Sequence, residues 1–255
     1  MNKTGISWTD LTWNPVSGCN KVSPGCQNCY AEAWSHRWNR SFDVKLHPEK
    51  LKEVSKIPSG SKVFVNSMSD LFHEKVPFSF IEGVMNAIKS RPDVIFQVLT
   101  KRPERVSRYI GWRGDKYSIE RHAELFLPDN LWLGVSIEMR LYLSRLDELN
   151  YLKHNWEVIP GKTFISFEPL LGDIGNLNMR GTDWIIIGGE SGPHHRSMNI
   201  EWARNLIKQA KHQGIAVWMK QLGGIRPGGN IEDFPEDLRL REFPMDIPNG
   251  KEVIS

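Results

Sequence analysis

The runs WIII (184–187) and VIFQVL (94–99) barely alternate between apolar and polar residues. A strand with one face in water alternates, whereas a strand apolar along its whole length is covered on both faces, as in a parallel sheet flanked by helices. Similar short runs recur through the chain at KVFVNSM (62–68), VIFQVLT (94–100), LWLGVSIE (131–138), KTFISFEP (162–169), WIIIGGES (184–191) and AVWMKQLGG (216–224). ISWT (6–9) supplies a seventh strand candidate. Helical spacing of apolar residues appears between them at 77–91, 140–152 and 200–214, and Pro103 opens a short helix over 103–110. Right-handed crossovers curl such a series into an α/β fold, a full or partial (β/α) barrel, with a doubly wound open sheet as the alternative. One domain over residues 1–255 is expected, carrying an insertion at 104–130 and a Pro/Gly-rich C-terminal extension at 225–255.

A hydrophobic content of 40% and a charged content of 25% are ordinary for a chain with a sizeable core. No stretch approaches the ~20 apolar residues of a membrane helix, and the N-terminus lacks the apolar run of a secretory leader. All three cysteines fall between Cys19 and Cys29, which is no disulfide framework. A cytoplasmic protein without membrane association is the expectation. The net charge of +3 permits an anionic partner without announcing one.

Cys19, Cys26 and Cys29 are spaced C-x6-C-x2-C, and the second pair enters the first helix. Thiolates this close repel one another unless a metal takes up their charge. Structural zinc sites are closed by four ligands, and the fourth here would have to be a distant histidine such as His36 or His73. A [4Fe–4S] cluster on three cysteines instead keeps one iron open to a small molecule. Cluster, zinc and no metal all stay open on spacing alone.

The segment SGCNKVSPGCQNCYAEAW, followed in order by TKRPER, FEPLLG, GGESGP-x-x-R and WMKQLGG, resembles the phage-associated three-cysteine-motif family, whose members are described as radical-SAM-like. The resemblance runs from residue 7 to about residue 224. It implies a [4Fe–4S] cluster on Cys19, Cys26 and Cys29, with S-adenosylmethionine as cofactor, on a (β/α) barrel. It also implies a reductant or electron-transfer protein as partner. The better-known radical-SAM pattern has three residues between its first two cysteines and an aromatic before the third; this chain has six, and Asn28. Tyr30 follows Cys29, placed to shield a cluster from the other side.

Chemistry in such barrels gathers where the strands end. The strand ends here carry Asn66, Ser67, Ser69 and Asp70; Gln97, Thr100, Lys101 and Arg102; Ser136 and Glu138; Ser166 and Glu168; Glu190 and Ser191; Lys220 and Gln221. Glu138 and Glu168 with Lys101 and Lys220 are the catalytic candidates, since charges persist in such places only when paired or functional. Asn66, Ser67 and Asp70 are placed to receive the amine of a cofactor, with Ser136 nearby. In GGESG (188–192), Gly188 and Gly189 allow close approach of backbone to a ligand, and Glu190 can accept from a ribose hydroxyl or from substrate. Arg196 is positioned to hold a carboxylate or phosphate, and His194 and His195 read as exposed loop residues. For many of these a cap, a turn or a solvated face is the plain alternative.

Ten tryptophans and a basic stretch (Arg102, Arg105, Arg108, Arg113, Lys116, Arg121) interleaved with Tyr109, Trp112 and Tyr117 are compatible with a nucleotide or nucleic-acid substrate, and equally with core aromatics beneath a solvated helix. Three functions follow: a radical-SAM-like enzyme of unknown substrate; a nucleic-acid-binding or repair protein braced by a cluster or zinc; and a non-radical metalloenzyme using the cluster as Lewis acid. A partner protein completing the site is left open.

Overall fold

The computed structural model describes residues 2–117, 126–154, 158–226 and 228–244. In chain order the strands and helices are β1 (Asn2–Lys3), β2 (Leu11–Trp13), β3 (Val16–Ser17), α1 (Tyr30–Arg37), β4 (Lys45–Leu46), β5 (Lys62–Val65), α2 (Phe78–Lys89), β6 (Ile95–Thr100), α3 (Pro103–Tyr117), β7 (Leu131–Ser136), α4 (Ser144–His154), β8 (Thr163–Phe167), β9 (Trp184–Gly188), α5 (Ile200–His212) and β10 (Ala216–Gln221). Seven of the strands, β2-β5-β6-β7-β8-β9-β10, run parallel in one sheet, and β1 adds antiparallel to β2. The sheet curls into a half-barrel, so the α/β partial-barrel expectation holds. Among the described residues no helix is long and apolar enough to cross a membrane.

Each strand sends alternate side chains to two separate cores, which is why its sequence shows no alternation. Outward, Val63, Val65, Phe96, Val98, Leu133, Val135, Ile165 and Ile187 meet the helices. α5 answers with Ala203, Leu206, Ile207 and Ala210 at helical spacing; the Asn199 side chain caps its N-terminus, and Gly214 in the left-handed region ends it. Inward, Phe64, Trp132, Phe164, Trp184 and Trp218 fill the lower half of the barrel. Gly134 stands where a Cβ would come within 2.5 Å of the Phe164 ring, so the glycine makes room for its neighbour in register.

An open half-barrel has two exposed sheet edges and an open side. ISWT (6–9) is not a strand: Trp8 turns inward and packs edge-on against Trp184, 6.0 Å between centroids, while Ser7 Oγ accepts from Trp218 Nε1 at 3.2 Å. From the other end of the described chain, the backbone at Leu240 and Glu242 pairs with β10, and Phe243 packs 4.8 Å from the Trp218 ring. Residues near both ends therefore bridge the gap that the strands leave.

α3 continues through Tyr117, well beyond the short helix expected, and buries Val106, Tyr109 and Ile110. Much of the stretch expected as an insertion is thus a crossover helix; residues 118–125, with Arg121, lie outside the described ones. Its basic residues largely serve the protein itself. Arg102 is buried on Asp70, Arg105 stacks on Phe78 and donates to the Val76 carbonyl, Arg113 pairs with Glu82, and Lys116 lies over Trp112. Of the two readings of this stretch, these contacts match aromatics packed beneath a helix.

Candidate active site at the mouth of the half-barrel

The loop after β2 carries the cysteines and is pinned along its length. β3 and β4 pair as a small antiparallel ribbon at its base. Gly18 has φ +82°, and a Cβ there would lie 2.0 Å from the Asp43 carbonyl oxygen, so only glycine fits directly before the first cysteine. Gly18 N–H donates to the Met68 carbonyl and Cys19 N–H to that of Phe42, both at 3.1 Å. Cys26 closes a single 3-10 turn, and Cys29 is the N-cap residue of α1.

Two charged clamps hold this loop. On one side Asp70 accepts from Thr100 Oγ1 at 2.8 Å, from the backbone N–H groups of Phe72 and Lys101, and from Arg102 at 3.0 Å. Arg102 reaches on to the Asn20 side chain and to Cys19 Sγ at 3.7 Å, and His73 Nε2 donates to Asn20 Oδ1 at 2.7 Å. Burial, then the Asp70 carboxylate, pushes the Cys19 thiol up to about 11. On the other side Glu190 accepts from Arg196 and from Asn28 Nδ2 at 3.0 Å, while Arg196 Nη2 donates to the Pro24 carbonyl at 2.9 Å. Burial by itself would raise the Glu190 carboxyl; the hydrogen bonds from Arg196 and Asn28 outweigh it and leave the group below its ordinary range.

The three cysteines and the strand ends face one cavity of about 560 Å³, a size suited to a small-molecule ligand. Its floor is Trp8, Phe64 and Leu99, and its walls include Asn66, Lys101, Ser136, Ser166, Glu168 and Lys220. Glu168 and Lys220 form an ion pair. The Lys101 ammonium has no partner among the described residues. Trp8 Nε1 and Asn66 Nδ2 are buried donors without a hydrogen-bond partner among those residues, so the cavity offers unmet donors to a ligand rich in acceptors. Asn66 is held at φ +61° while its Oδ1 accepts from Val16 N–H at 3.1 Å.

Several sequence candidates have other occupations. Asp70 has both carboxylate oxygens engaged in its clamp, away from the amine-binding role expected. Arg196 holds the Cys loop where a ligand's carboxylate or phosphate was expected. Glu138 is fully buried, off the cavity, beneath the loop: Oε2 accepts from Arg145 at 2.9 Å, and its carboxylate packs on Gly25, where a Cβ would lie 3.2 Å from Oε1. Gly189 gives close approach to the Leu222 carbonyl of its own chain, and Gly188 packs on Glu168. Ser136 Oγ donates to the Glu168 carbonyl, Ser67 Oγ to Asn14, and Tyr30 to the Ser67 carbonyl. Asn28, Arg102 and Trp8 were not foreseen in these roles. Only the position of Asn28 between two cysteines hinted at one.

Among the described residues no three His, Cys, Asp or Glu side chains converge on one metal-ion position. His73 is engaged with Asn20 and His36 is exposed, so neither closes a zinc site. Three unpaired thiols on a pinned loop, opening on one roomy cavity beside Arg102 and a helix N-terminus, instead fit a multinuclear cluster, whose thiolates stand at separate corners.

Residues 3–238 match the family described as "Protein of unknown function (DUF5131)". The chain belongs to that family. A comparison of the sequence with curated proteins gives no match. Among solved structures, a cysteine-to-serine mutant of spore photoproduct lyase superposes with a TM-score of 0.50 at 11% identity over 82% of this chain. The same enzyme complexed with dinucleoside spore photoproduct gives 0.49 at 10% identity over 82% of this chain. The chain spans 63% of the length of each of those structures. The likeness is one of fold, and it places the DUF5131 chain among partial (β/α) barrels.

Proposed function

We propose that this DUF5131 protein is a radical-SAM-like iron–sulfur enzyme. The observation that carries the reading is the common opening of Cys19, Cys26 and Cys29 onto one strand-end cavity that also holds unmet donors and a free ammonium. Bound to the three thiolates, a [4Fe–4S] cluster would supply an open iron for S-adenosylmethionine and the electron that cleaves its sulfonium.

The chain's own residues bind, orient and exclude water. Tyr30 walls the cavity beside Cys29, with its hydroxyl fixed on Ser67. Lys101 offers an unshared positive charge for a carboxylate or phosphate. Lys220 neutralises Glu168 and leaves that carboxylate free to accept from a hydroxyl or amine of the ligand. Trp8 Nε1 and Asn66 Nδ2 present donors from the floor and from the β5 end. The aromatic floor keeps bulk water from below, which strengthens each of these contacts. The substrate is a nucleotide or nucleic acid, and a reductant or electron-transfer protein supplies electrons.

The test is EPR on anaerobically reconstituted, dithionite-reduced protein before and after S-adenosylmethionine. A [4Fe–4S]⁺ signal that changes on addition, and is lost in Cys19→Ala, Cys26→Ala and Cys29→Ala, is expected. A cluster signal indifferent to S-adenosylmethionine would leave Lewis-acid chemistry, and zinc in place of iron would sink the reading.

A further inference from the structure

Helix α1 is built inside out. It buries Ala31 and Ser35 against the protein and turns Trp34 and Trp38 outward, 50% and 60% exposed, while Tyr30, 55% exposed, reaches back over the cavity mouth to the Ser67 carbonyl. Tryptophan is highly buried on average, so two half-exposed on one short helix need a reason. The three aromatics lie at i, i+4 and i+8, one stripe along the helix, and the Trp34 and Trp38 ring centroids are 6.2 Å apart. Tyr30 at the head of the stripe is also a wall of the cavity, and Trp38 stands about 12 Å further along at 1.5 Å per residue.

The charge beside the stripe is positive. Arg37 and Arg40 are exposed, and neither guanidinium has a partner among the described residues. The neighbouring acids are engaged: Glu32 with Lys21 at 2.9 Å, Asp43 with Ser41. Aromatic faces that accept bases, flanked by cations that accept phosphates, are the two requirements of a single-strand platform.

We infer that α1 is a stacking platform for single-stranded nucleic acid, with bases on Trp34 and Trp38 and phosphates on Arg37 and Arg40, leading the strand over Tyr30 into the cavity. A duplex keeps its bases stacked on one another and cannot use these rings. The inference rests on the proposed enzyme only for the direction of the strand.

The probe is fluorescein-labelled dT15 and, separately, rU15, read by fluorescence anisotropy on reconstituted protein and on cluster-free protein. The expected result is binding by both forms, weakened about tenfold or more by Trp34→Ala and by Trp38→Ala, with Trp34→Phe retaining most of it. Arg37→Gln with Arg40→Gln lowers the slope of log K against log salt by about 1.4, at about 0.7 per neutralised phosphate. A stronger response to rU15 than to dT15 would assign the strand as RNA, and the reverse as DNA. Both tryptophans are half in water, so unchanged circular dichroism is expected and checks folding.

Failure of wild type to bind either oligonucleotide at 50 mM salt would overturn the inference, as would alanine variants within twofold of wild type. So would a protein dimer, by light scattering, that Trp34→Ala dissociates. Oligonucleotide binding without a SAM-sensitive cluster would sink the enzyme reading alone, and a SAM-sensitive cluster without binding would sink this one alone.

Discussion

The lower and upper halves of the barrel interior are made by the same strands and have opposite chemistry. On β7 the inward series runs Trp132, Gly134, Ser136; on β8 it runs Phe164, Ser166, then Glu168; on β10 it runs Trp218, then Lys220. Each step of two residues moves about 6.7 Å up the strand, and one or two such steps lead from a dry aromatic layer to a polar wall. The lower layer stabilises the fold and tolerates no ligand. The upper layer contributes little packing and leaves charged and polar groups facing a cavity. Separation along the strand lets the two tasks change independently.

The largest test of that separation pairs one residue from each half. Trp184 touches Trp8, Trp132, Phe164, Trp218 and Phe243, so Trp184→Ala is expected to lose about 3–5 kcal/mol of stability by urea titration. Lys101→Ala in the upper half is expected to change stability by less than about 0.5 kcal/mol while weakening an anionic ligand in isothermal titration. Equal losses from both would erase the distinction.

A second test concerns the clamp between the halves and the cysteine loop. Arg196→Leu removes the guanidinium bonds to the buried Glu190 carboxylate, leaving it the backbone N–H of position 196 and Asn28, and frees the Pro24 turn. A loss of about 1–3 kcal/mol is expected, together with less iron per chain after reconstitution. Iron content equal to wild type would show that the loop keeps its shape unaided.

A third test is a pH response. In cluster-free protein the Cys19 thiol ionises near 11, against 9.0 for an ordinary thiol, because of burial and then Asp70. At pH 8 its alkylation by iodoacetamide, followed by mass spectrometry, should therefore lag an ordinary thiol's by about a hundredfold. The unfolded chain releases the proton first, so the folded cluster-free protein loses stability as pH rises from about 9 to about 11. Asp70→Asn should shrink the lag.

Much of the fold was legible because apolar continuity in WIII or VIFQVL reports burial directly. Six of the seven strand candidates lie where the sequence put them. ISWT reads as a strand because a tryptophan plug and a short strand look alike in four residues; β2, the first of the parallel strands, is three residues, Leu11–Trp13. At the mouth the sequence named residue types and could not name partners. Glu138, Glu168 and Glu190 read alike at three strand ends, yet only Glu168 presents a carboxylate to the cavity without being taken up in a clamp or buried under the loop. Partners 162 residues apart, such as Asn28 and Glu190, leave no trace in spacing.

The bridging of the barrel's open side has a consequence for how the protein comes to exist. Trp8 and Ser7 emerge from the ribosome more than 230 residues before Phe243, yet all three seal one interior. Until the last arrives, the tryptophan layer is a wet hydrophobic groove with an unpaired β10 edge, the kind of surface that sticks to other nascent chains. The sheet can assemble strand by strand during synthesis, but drying of its interior must wait for the far end. A stall between β10 and Phe243 would yield a chain that looks folded from outside and remains open within.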